Sequence, residues 1–172
     1  MAKKPNTVGG GARTNHNGLA FEGRTDLLEA LNQHSDFTVI GNQVFKEGEI
    51  VAHYYEKHNL YSEYLKPAGV DYTKILSKKL LPDGALLVGG TMYIIEKKYQ
   101  AGSGSVDEKL QTCDFKKKQY TKLFKPLNIK VEYYYVLSKW FDSKKNNDVF
   151  EYIKSVDCKY FIEELPFNEI GL

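Results

Sequence analysis

Two segments near the middle of the chain show strand patterning. "DGALLV" (Asp83 to Val88) and "TMYIIEKK" (Thr91 to Lys98) are rich in aliphatic and β-branched residues. The Gly89-Gly90 pair between them supplies the positive φ angles of a two-residue hairpin turn, so these segments are expected to form an antiparallel hairpin. "SGSVDEKLQTCDFKKKQYTKLFKP" that follows changes to a helical period: Val106, Leu110, Cys113, Tyr120 and Phe124 form one apolar stripe. Ser105 and Glu108 fit a capping box at its start, and Pro126 closes it. "NIKVEYYYVLSKW" reads as a strong strand, and "NDVFEYIKSV" and "CKYFIEEL" as a last helix and strand.

The first half of the chain is less regular. "NGLAFEGRTDLLEALNQHS" reads as a helix with Asn17 as N-cap, Ala20, Leu27 and Leu31 inward, and Glu22, Asp26, Glu29 and Gln33 on the opposite face. "DFTVIGNQVF" suggests a strand and a turn. The tyrosine-rich stretch from Ala52 to Lys66 is ambiguous and is read as a helix ended by Pro67 and Gly69. The sum is an α/β fold with a central mixed sheet, a core hairpin and helices on both faces. Residues 1–16, rich in Gly and Asn, read as a flexible arm. Residues 17–172 read as a single domain, with a core of about 17–137 and a peripheral helix and strand at 138–172.

Composition adds limits rather than a function. The 172 residues are 42% hydrophobic and 27% charged, which suits one globular domain. No apolar run reaches membrane-spanning length and no secretory signal is evident, so a cytoplasmic setting is expected. Cys113 and Cys158 lack metal-ligand spacing and are too few for a disulfide framework. His16, His34, His53 and His58 form no HxH or HxxxH pair, which argues against a zinc site. The triple glycine of the arm has no preceding strand and no Gly-Lys-Ser/Thr, so it makes a poor phosphate loop. The net charge is only +2, but the positive charge is nearly all lysine and much of it lies between Lys97 and Lys130.

The chemistry is concentrated at the ends of the hairpin. Asp83 opens one strand and Glu96 closes the other, so the turn returns both carboxylates to the same edge. Alternation puts Glu96 and Lys98 on one face and Lys97 on the other. A solvated strand end would explain such charges. So would a site for Mg²⁺, which is commonly held by one or two carboxylates with waters and phosphate oxygens. Lys98 would then orient or deprotonate a metal-activated water, chemistry suited to phosphodiester hydrolysis.

"PD" at Pro82-Asp83, thirteen residues before "EKK" at Glu96, Lys97 and Lys98, resembles the PD-(D/E)xK nucleases, the fold of many type II restriction endonucleases. The resemblance implies a core of helix, three antiparallel strands, helix and strand. It implies Asp83, Glu96 and the Lys97 main-chain carbonyl as metal ligands, with Lys98 as the catalytic lysine. Glu22 is the matching candidate for a helix glutamate that completes the acidic cluster at a second shell or second metal, and Asp71 is an alternative. The cofactor implied is Mg²⁺, with Mn²⁺ as a substitute. The partner implied is double-stranded DNA, cut by a homodimer. Arg13, Lys116, Lys117, Lys118 and Lys122 are candidate DNA contacts, because backbone phosphates are met by basic side chains. Gln111 and Gln119 are further candidates at the phosphate. A repair or mobile-element nuclease, or a non-catalytic nucleic-acid-binding module, are the competing expectations.

Overall fold

The computed structural model describes residues 18–21, 23, 25–101 and 106–172. The expected arm at 1–16, with Arg13, lies outside them, as do Asn17, Glu22 and Ser105. Seven strands form one sheet in sequence order: β1 (Phe37–Ile40), β2 (Gln43–Lys46), β3 (Glu49–Tyr55), β4 (Gly84–Val88), β5 (Thr91–Lys98), β6 (Lys130–Leu137) and β7 (Lys159–Ile162). Neighbours from β1 to β5 are antiparallel, and β5, β6 and β7 run parallel. The helices are α1 (Leu27–Gln33), α2 (Val106–Leu110), α3 (Cys113–Phe124) and α4 (Asn147–Ser155). The parallel connections require crossovers; α2 and α3 supply the first and α4 the second.

The central hairpin forms as expected. Gly84 pairs with Ile95 and Val88 with Thr91, and Gly89 and Gly90 have φ of 49° and 85°. Alternation along the inner strands divides the core in two. Ala85, Ile94, Tyr133 and Tyr135 meet α3 and the 60–65 segment on one face. Leu86, Ile95, Tyr134 and Val136 meet Leu27, Leu31, Leu165 and Ile170 on the other. The mixed α/β sheet with helical cover on both faces therefore stands. Because Leu165 and Ile170 are part of the second core, the C-terminal segment contributes packing as well as an edge strand.

Three local readings need correction. Residues 52–66 are not one helix. Ala52 to Tyr55 complete β3, whose Tyr54 and Tyr55 pack on opposite faces, and a π-helix follows at Leu60–Leu65. Tyrosine suits a pleated surface as well as a helix, and pairing with β2 and β4 decides for strand. In the first helix Ala20 is exposed, and Phe21 is the buried residue. A break at Thr25 and a fresh N-cap at Asp26, which accepts from the Glu29 N–H at 3.0 Å, restart the chain as α1. Finally, the long helix after the hairpin is interrupted at Gln111-Thr112 and divides into α2 and α3. Leu110, Cys113, Tyr120 and Phe124 are buried as expected, joined by Leu123.

Candidate active site

Asp83, Glu96 and Lys98 come together at the mouth of the hairpin. Glu96 and Lys98 share the α3 face of β5, because they continue the alternation of Met92 and Ile94, which are buried in that core. Glu96 is nearly enclosed, with its side chain 6% exposed, whereas Asp83 is 36% and Lys98 20% exposed. A buried carboxylate is costly unless it is paired. Lys98 Nζ lies 2.8 Å from Glu96 Oε2, and Lys116 Nζ, from the second turn of α3, lies 3.2 Å from the same oxygen.

The Lys98 ammonium also sits 3.6 Å from Asp83 Oδ2 and donates to the Lys97 carbonyl oxygen at 3.0 Å. Two carboxylates and one main-chain carbonyl thus converge on a single cationic group. These are the same three oxygen donors expected to hold a metal. Their number, hardness and partial exposure suit Mg²⁺, which keeps several waters alongside a few protein oxygens. Among the described residues, no group of three or more His, Cys, Asp or Glu side chains is placed to hold a metal ion. Two carboxylates and one main-chain carbonyl are therefore the donor set available from these residues.

The surroundings hold this geometry. Asp83 Oδ2 accepts from the Lys97 N–H at 2.8 Å, which fixes the carboxylate across the hairpin. Behind Lys98, the Ser138 N–H donates to the Lys98 carbonyl at 3.0 Å. The Ser138 hydroxyl is clasped to the backbone of Gln100, accepting from its N–H at 3.1 Å and donating to its carbonyl at 3.0 Å. Gly84 is needed because a Cβ there would stand 2.5 Å from the Tyr54 hydroxyl. Beneath the site, Tyr120 is fully buried and its hydroxyl has no hydrogen-bond partner among the described residues. Burial, with the Glu96 charge behind it, raises the pKa of that phenol, so it stays neutral at physiological pH.

Several expected site residues are placed elsewhere. Glu22 lies outside the described residues. Asp71 stays out of the cluster: its carboxylate caps the 72–74 turn through the N–H and hydroxyl of Thr73 at 3.1 and 2.7 Å. The lysines of α3, expected as DNA contacts, take different partners. Lys116 is drawn into the site, and Lys118 pairs with Asp114 at 2.7 Å. Lys117 reaches Glu132 at 3.8 Å and the Asp157 carbonyl. Lys122 alone of the four is exposed without an ion-pair partner among the described residues. The role of Lys116 at Glu96 was missed because its partner lies on a strand twenty residues earlier. Gln111 is exposed and Gln119 half-buried. Cys113 and Cys158 are buried free thiols. No helix among the described residues is long and apolar enough to cross a membrane. No protein-family model matches the sequence, and comparison with curated proteins finds no match.

Proposed function

We propose that this protein is a Mg²⁺-dependent DNA endonuclease of the PD-(D/E)xK type, and specifically a type II restriction endonuclease acting as a homodimer on a short duplex site. The observation that carries the reading is the convergence of Asp83 Oδ2, Glu96 Oε2 and the Lys97 carbonyl on the Lys98 ammonium. A cluster of hard oxygens on a cation is what a metal site needs, and it sits where the resemblance would put one. The strand order is further support. The antiparallel run β3, β4, β5, then α3, then β6 parallel to β5, agrees with the core that the resemblance implies for a restriction-endonuclease-like fold.

In this reading Asp83, Glu96 and the carbonyl of residue 97 hold Mg²⁺, and Mn²⁺ can replace it. When bound there, the metal would supply Lewis acidity toward a phosphate ester and make a nearby water easier to deprotonate. Lys98 must release the oxygens it now contacts, and its ammonium is then free to orient the attacking water or to steady charge on the phosphate. Lys116, 3.2 Å from the nearly enclosed Glu96 carboxylate, offsets its remaining charge.

Digestion of a mapped plasmid with and without Mg²⁺ tests the proposal. Discrete fragments that need the metal are expected. A metal-dependent smear would indicate a nonspecific nuclease, as in repair or mobile-element enzymes. DNA that is bound but left intact would indicate a binding module and overturn the catalytic reading.

A further inference from the structure

On the same face of the sheet as Asp83 and Glu96, a groove of about 520 Å³ opens between the π-helix and the segment leading to β4. His58, Tyr61, Lys66, Val70, Tyr72 and Lys79 line it. Its floor belongs to the core that lies under the candidate site, because Tyr61, Leu65 and Val70 pack in one cluster with Ala85 and Ile94. Its wall is fastened to the segment that carries Asp83 into β4. The Tyr61 hydroxyl donates to the Leu80 carbonyl at 2.8 Å and accepts from the Leu80 N–H at 3.1 Å. The Lys57 N–H donates to the Pro82 carbonyl at 2.9 Å.

Lys79 is the unusual member. Its ammonium lies 5.1 Å from the Tyr61 ring centroid and 4.9 Å from that of Tyr72, with no carboxylate partner among the described residues. The two rings are themselves edge to face at 5.3 Å. Cation–π contact orients an ammonium without neutralising it. Lys66 is exposed and likewise has no ion-pair partner among the described residues. The groove's one carboxylate, Asp71, is occupied by Thr73 and lies 4.0 Å from Lys74. The lysines of α3 contrast with this, since three of the four are already held by acidic or carbonyl oxygens.

We infer that this groove, rather than the α3 lysine run, receives the backbone of the DNA strand being cut. A phosphate would sit at Lys79, with sugar and base against Tyr72 and Val70. This rests on the nuclease reading and names how its substrate is held. A groove combining lysine with aromatic surface suits a nucleic-acid strand, whose phosphates and bases need both. The Cα of Lys79 can lie no more than about 14 Å from that of Asp83 along an extended chain. The contacted phosphate should therefore fall within a few nucleotides of the scissile bond.

The test measures metal-free binding of the full chain to a fluorescent duplex that spans a mapped cleavage position, over a series of salt concentrations. Lys79→Gln is expected to weaken binding several-fold and to flatten the slope of log affinity against log salt by roughly 0.9. Lys79→Arg, which keeps charge and ring contact, should restore both. Lys66→Gln touches neither ring and should also flatten the slope, which separates a lost phosphate contact from any loosening of the tyrosine pair. Replacing single phosphates by neutral methylphosphonates should identify one position, within a few nucleotides of the cut, that matters to the parent and not to Lys79→Gln. If the parent cuts DNA and Lys79→Gln keeps the parental affinity and slope, the groove assignment is overturned while the nuclease reading stands. A parent that neither binds nor cuts DNA would remove both.

Discussion

The Lys97-Lys98 pair shows how one residue of register separates two identical side chains. Lys98 faces the α3 side and holds Asp83 and Glu96, whereas residue 97 contributes main-chain groups: its N–H to Asp83 and its carbonyl to the Lys98 ammonium. Lys98→Ala is therefore expected to lower turnover by about 100-fold or more, the scale of a lost acid–base group. Lys97→Ala should keep turnover close to parental, since alanine retains both main-chain groups. Single-turnover cleavage rates at saturating Mg²⁺ check this. A dead Lys97→Ala beside an active Lys98→Ala would put the wrong face of β5 in the site. Tyr120 offers a second test at this scale. Its buried hydroxyl has no partner among the described residues, and an unsatisfied group of this kind costs about 1–3 kcal/mol. Tyr120→Phe should hold or raise the melting temperature, and a fall would show that the hydroxyl is satisfied in solution.

At the scale of elements, Gly84 links the hairpin to the site. A Cβ at that position would meet the Tyr54 hydroxyl at 2.5 Å, so Gly84→Ala must push the buried Tyr54 ring aside, next to Asp83. Overpacking of this kind costs about 1–3 kcal/mol. The variant should melt earlier and cleave more slowly, as thermal denaturation and plasmid nicking would measure; an unchanged variant would mean that the Tyr54 ring yields freely. The hairpin itself was legible in the sequence because two local signals agree, strand propensity and Gly89-Gly90. The 52–66 segment was not, because its tyrosines serve equally in β3 and in the π-helix and only non-local pairing separates them. The break before α3 was hidden too, since Leu110 and Cys113 keep their helical spacing across it. Likewise the spacing from Asp83 to Glu96 disclosed the acidic pair. It could not disclose that Lys116, Lys117 and Lys118, adjacent in sequence, would take partners on β5, on β6 and on α3 itself.

At the scale of the whole molecule, a sheet packed on both faces carries a cluster of hard oxygens at the ends of its central strands, and a lysine ammonium now fills that cluster. If these oxygens hold the catalytic metal, Lys98 and the metal compete for them. The most direct measurement is Mn²⁺ binding to the DNA-free protein by calorimetry, in the parent and in Asp83→Ala, Glu96→Ala and Lys98→Ala. Each carboxylate variant should lose most of the metal affinity and all cleavage while still binding DNA. Lys98→Ala should bind Mn²⁺ at least as tightly as the parent, because the competing cation is gone, yet fail to cleave. Parental Mn²⁺ affinity in Asp83→Ala or Glu96→Ala, or a Lys98→Ala variant that loses the metal as they do, would contradict the metal site on which the function rests.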